Sequence, residues 1–93
     1  MKYQIQPGVV LQPVCDEYLL IATGGAVGKC PQVRRINAGA AFYWEKLQSG
    51  MDSEDLAPAA ATEFGIDIEL IRPGLRKFLD ALETQNYIIS SDQ

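Results

Sequence analysis

The chain has no histidine, which removes the commonest general base and metal ligand. Its two cysteines, Cys15 and Cys30, lie fifteen positions apart without the CxxC spacing of a zinc site. Neither has a histidine to activate it as a nucleophile. No apolar run approaches the roughly 18 residues that span a bilayer. The N-terminus also lacks the basic, then apolar, then small-residue order of a secretory signal. Both cysteines are therefore expected to be reduced thiols of a cytoplasmic protein that neither enters a membrane nor binds a cofactor or metal.

Basic charge is scarce as well. The net charge of −4 and a pI near 4.6 disfavour nucleic acid, whose affinity rests on neutralising phosphates. The distribution is uneven: residues 24–50 sum to +3 and residues 51–70 to −6. The positive stretch holds Lys29, Arg34, Arg35 and Lys46, and a docking partner there is expected to be acidic. Gly24-Gly25-Ala26-Val27-Gly28-Lys29 is not a phosphate loop. Thr23 stands where that motif needs its first glycine, and Cys30 where it needs Ser or Thr.

What is present is apolar patterning, at 47% of 93 residues, enough for one domain over 1–93. Val9 to Val14, bracketed by prolines and glycine, reads as a strand near a sheet edge. Cys15-Asp16-Glu17 makes a hairpin turn into a second strand, Glu17 to Thr23. A glycine-rich loop to Pro31 precedes a third strand, Gln32 to Ile36. There Val33 and Arg35 share one face, and Arg34 and Ile36 the other.

Asn37 is placed to cap a first helix carrying Ala40, Tyr43, Trp44 and Leu47, with Trp44 as a core anchor and Phe42 off the stripe. Gly50 stops it. Asp52 or Ser53 caps a second helix, which Gly65 ends. Ile71, Leu75, Phe78, Leu79 and Leu82 mark a third, with Asn86 as a left-handed cap. Pro73-Gly74 leaves its start open: either it begins near Arg72, or it begins around Asp67 and is kinked. Tyr87 to Ser90 is a short strand or tail. The fold class is α+β: a winged helix-turn-helix-like domain with a small three-stranded antiparallel sheet before three helices.

This order resembles the PqqD-like family. The resemblance rests on Ile36-Asn37, Ala40, Trp44, Leu47 and Gly50, on Ser53 to Leu56, and on Phe78-Leu79, Leu82 and Asn86-Tyr87-Ile88. It implies a non-catalytic peptide chaperone. Such a protein holds the leader of a ribosomally made precursor peptide and presents it to a modifying enzyme, often a radical S-adenosylmethionine protein. It also implies that the leader adds a strand beside the third strand, in a cleft shared with the third helix. Carried onto this chain, the site is Val33, Arg34, Arg35 and Ile36 with Arg76, Phe78 and Leu79. A sheet edge offers unpaired amides and carbonyls that an extended peptide can satisfy. The same edge permits a homodimer. The alternatives are an adaptor that grips a folded protein and a DNA-binding winged helix.

Overall fold

The structure, a computed structural model, describes residues 2–91. Strands β1 (Lys2–Ile5), β2 (Val9–Val14), β3 (Glu17–Ala22) and β4 (Val33–Ile36) come first. Helices α1 (Ala38–Gln48), α2 (Leu56–Phe64) and α3 (Ile68–Thr84) follow, and strand β5 (Ile88–Ser91) closes the order. The three-stranded antiparallel sheet runs β2-β3-β4, as the apolar runs and the hairpin turn foretold. Cys15 takes the left-handed backbone (φ 55°) in the β2–β3 turn.

The N-terminal strand is a difference from expectation. β1 pairs antiparallel with β5, so the tail becomes half of a second, two-stranded sheet. Lys2–Ile5 alternates exposed and buried positions, but four residues are too short a run to be read as a strand without their partner. Gln6 ties this sheet to the helical layer: its amide nitrogen donates to the Asn86 carbonyl (3.1 Å) and its backbone N–H to Tyr87 (2.9 Å).

The helices form where their caps sit. Asn37 accepts from the Ala40 amide (2.8 Å), and Gly50 turns the chain out of the helix end at φ 97°. Asp52 accepts from Glu54, opening a 3-10 turn (Ser53–Asp55) that leads into α2. Gly65 ends α2 in the left-handed conformation, and Asn86 (φ 68°) does the same after α3. Of the two starts left open for α3, the earlier holds: Asp67 caps it through the Glu69 amide, and the helix continues through Pro73.

Trp44 lies fully buried among Leu20, Leu56, Leu82, Tyr87 and Ile88, the largest side chains with almost no exposure. Each such aliphatic side chain stabilises the fold by about 1.5–3 kcal/mol. Phe42 is partly buried, edge-on to Phe64 at 5.2 Å, so it staples α1 to α2 beside the main core. Cys15 is exposed, Cys30 is half-buried, and both are free thiols. No helix of the described residues is long and apolar enough to cross a membrane.

Gly8 sits at φ 97° before β2, where a Cβ would run into the Thr23 carbonyl oxygen and the backbone of Ala26. The Thr23 amide and hydroxyl both donate to the Gly8 carbonyl, at 2.8 and 2.6 Å. Gly8→Ala is expected to cost about 2–3 kcal/mol of stability. Urea unfolding measures it, and an unchanged midpoint would show that the two loops do not depend on this approach.

Candidate functional site

Among the described residues, β4 has β3 on one side and no strand on the other. In an antiparallel pair, only alternate residues turn their main-chain groups toward the neighbour. Ala22 donates to the Gln32 carbonyl (2.9 Å), and Leu20 faces Arg34 and Tyr18 faces Ile36 in the same register. The amides and carbonyls of Val33 and Arg35 therefore point to the open edge. Among the described residues, nothing takes them.

Side chains alternate across the sheet in the opposite sense. Arg34 and Ile36 lie on the helix-facing side with buried Leu20, whereas Val33 and Arg35 face outward. Val33 is 55% exposed, and Val10 and Val14 on the same outward face are also exposed.

Where β4 ends, a cavity of about 290 Å³ opens between α1 and α3. Asn37, Gly39, Ala40 and Tyr43 line it from α1, and Ile71, Gly74, Leu75 and Phe78 from α3. The Tyr43 and Phe78 rings stand 6.0 Å apart and form its far wall. Burial pushes the Tyr43 hydroxyl up from its ordinary pKa, in keeping with an apolar surrounding. Two of the lining residues are glycines inside helices. A Cβ on Gly74 would meet nothing, and one on Gly39 only the Asn37 side chain at 3.5 Å. Glycine in a helix interior costs about 0.5–1 kcal/mol relative to alanine. No packing within the chain requires that cost at Gly74; its effect is to keep the cavity wide.

The residues expected at the site fall in different places. Val33 and Arg35 hold the open edge, Phe78 lines the α1–α3 cavity, and Ile36 lines a separate hollow at the end of β4 with Glu17, Arg35 and Asn37. Arg76 and Leu79 do not join them. They line a second cavity of about 240 Å³ between α2 and α3, with Ala57 and Arg72, and Leu79 is itself core. The reason is helical geometry: Phe78 follows Gly74 by four residues on one face, while Arg76 and Leu79 follow Arg72 and Leu75 on the next. Asn37, Gly39, Ala40, Tyr43 and Gly74 were not foreseen as lining residues. An interior glycine in a helix without turn neighbours is the signal that points to two of them.

The arginines differ in their partners. Arg35 pairs with Glu17 (3.1 Å), Arg72 with Glu69 (3.5 Å) and Arg76 with Asp80 (3.9 Å), all at exposed positions. Arg34 instead donates from a terminal guanidinium nitrogen to the Gln85 side chain at the end of α3. Among the described residues no cluster of His, Cys, Asp or Glu is arranged to hold a metal. Burial raises the Cys30 thiol pKa, the wrong direction for a nucleophile. The arrangement suits main-chain and side-chain capture of an extended chain.

A family model described as coenzyme PQQ synthesis protein D (PqqD) matches residues 17–88. No curated protein matches the chain. Among solved structures, TbiB1 in complex with the TbiA(beta) leader peptide is 25% identical, with a TM-score of 0.76 and full coverage of both chains (100% each). Lasso peptide synthetase B1 complexed with its leader peptide has the same fold, at 14% identity and TM-score 0.76, over 97% of this chain and 100% of that one. The match runs from the first residue of β3 to the first of β5, across the edge strand and all three helices, and the chain belongs to the PqqD family.

Proposed function

We propose that this chain binds the leader segment of a precursor peptide as an added strand along β4 and presents it, without catalysis of its own, to a peptide-modifying enzyme. The observation that carries this reading is the open edge of β4 beside an apolar cleft, in a PqqD-family chain similar over its full length to a leader-peptide complex. In it, Val33 and Arg35 supply the main-chain hydrogen bonds. Arg34, Ile36 and Phe78 face the peptide's inward side chains, and the α1–α3 cavity takes an apolar one. Leu79 holds α3 in place from the core, and Arg76 stands outside the groove. The domain 1–93 acts as one unit in the cytoplasm.

A second reading, docking of a folded protein, is favoured by exposed Val10, Val14 and Val33 on the outward face of the sheet. DNA binding is disfavoured, because Arg72 and Arg76 of α3 already have carboxylate partners.

Amide NMR titration with leader peptides encoded beside the gene tests the proposal. Shifts concentrated at 33–37 and along the 71–78 face of α3 are expected. Shifts confined to the outward positions 10, 14, 19 and 21 would favour the second reading instead. Val33→Pro removes an edge amide that β3 does not use and is expected to weaken peptide binding about 3–10-fold with the fold retained. Normal binding by that variant would exclude strand addition at β4. Gly74→Ala separates stability from function: it is expected to stabilise the helix by about 0.5–1 kcal/mol and to weaken the peptide complex. Calorimetry of unfolding and of binding reads both, and unchanged affinity would show that the peptide does not enter the cavity.

A further inference from the structure

Among the described residues Arg34 has no carboxylate partner, in a chain where acids outnumber bases. The sequence holds four arginines, and Arg35, Arg72 and Arg76 each have an Asp or Glu within 4.0 Å. Arg34 has none among the described residues, although it is the least exposed of the four. A guanidinium offers five donors. Here one nitrogen reaches Gln85, and Nε is shut off from solvent with no hydrogen-bond partner. A half-buried cation in that state has lost hydration without gaining a counter-charge.

Its position is specific. Arg34 rises from the helix-facing side of the edge strand and reaches across to the end of α3, where Gln85 is the C-cap. Tyr87 is its titratable neighbour, and Cys30 stands beside Tyr87. Burial raises the Tyr87 hydroxyl pKa, Cys30 adds to the rise, and Arg34 partly opposes it. Neither group is an anion near neutrality, and the Tyr87 hydroxyl already donates to the Pro31 carbonyl (2.7 Å). Arg34 and Ile36 share the helix-facing side of β4, and the α1–α3 cavity opens just beyond Ile36, at Asn37.

We infer that Arg34 selects peptides that carry an aspartate or glutamate, which pairs with its guanidinium as the peptide adds to β4. This rests on the strand-addition reading above. A carboxylate takes two parallel hydrogen bonds from a guanidinium and supplies the missing charge. Side chains of an added strand reach the helix-facing side at every second residue, whichever way the strand runs. The acid and the apolar side chain that enters the cavity are therefore separated by an even number of positions.

The test is selection of random 12-residue displayed peptides on the purified protein and on Arg34→Gln, with urea unfolding to verify that the variant folds. Wild type is expected to enrich peptides with Asp or Glu two or four residues from a large apolar residue. Arg34→Gln is expected to lose the acidic enrichment and keep the apolar one. For a selected peptide, Glu→Gln is expected to weaken binding to wild type about tenfold or more and binding to Arg34→Gln little. Equal losses on both proteins, an acidic preference that survives in Arg34→Gln, or wild-type peptides without acids would each overturn the inference while leaving peptide binding intact. Failure of wild type to select any peptide would overturn strand addition itself, and this inference with it.

Discussion

Asn37 accepts a hydrogen bond from the Ala40 amide one residue after β4 ends, so the edge strand turns into α1 with no loop between them. A cap of this kind contributes about 1 kcal/mol to a helix. Its larger consequence here is geometric. With Ile36 buried on one side of the corner and Ala40, Ala41 and Trp44 buried on the other, the angle between strand and helix is fixed by packing at both ends. α3 then lies across α1 through Tyr43 and Phe78, and the cleft is the space this corner leaves open. The edge stays unpaired because the chain departs into a helix instead of returning as another strand.

Alternation along β4 divides four residues into three tasks. Val33 and Arg35 turn their main chain to the open edge, Arg34 and Ile36 turn their side chains to the helices, and the Arg35 side chain pairs outward with Glu17. That exposed pair contributes between nothing and about 1 kcal/mol. It also places charge on the outward side of an edge that would otherwise present Val33 alone, a common protection against unwanted strand pairing. The adjacent arginines thus differ through parity: one is solvated and partnered, the other half-buried and, among the described residues, without a carboxylate.

Much of this was legible in the residues. Short-range signals were sufficient for the β2–β3 hairpin, the Asn37 cap, the glycine stops at Gly50 and Gly65, and the Asn86 cap, because each depends on backbone preferences a few residues apart. The parity of Arg34 and Arg35 followed from the strand period. The β1–β5 sheet was not legible, because four-residue strands gain their identity from partners more than eighty residues away, as in the Tyr3–Ser90 pair. The facing of α3 was only partly so. Phe78 and Leu79 both belong to its apolar pattern, and periodicity does not say which of two neighbouring helices each will meet. Only the tertiary arrangement separates the cleft beside α1 from the one beside α2.

α3 holds the sharpest conflict between local preference and the fold. Pro73 has no amide to give the Glu69 carbonyl, and Gly74 adds conformational freedom that helix formation must remove. An interior proline, with its lost hydrogen bond and ring clash, and an interior glycine together cost roughly 4 kcal/mol. Against this stand Ile71, Leu75, Leu79 and Leu82, all buried along one stripe at about 1.5–3 kcal/mol each, with Asp67 capping one end and Asn86 the other. The stripe is strong enough that the helix need not be good along its other side. That other side faces solvent at Leu70, which is 75% exposed, while Gly74 lies at the stripe's flank and lines the cavity with Ile71 and Leu75. The cavity thus lies along the flank of the stripe, where Ile71 and Leu75 fix the helix and Gly74 leaves a gap beside Phe78 that a side chain of a strand added to β4 can enter.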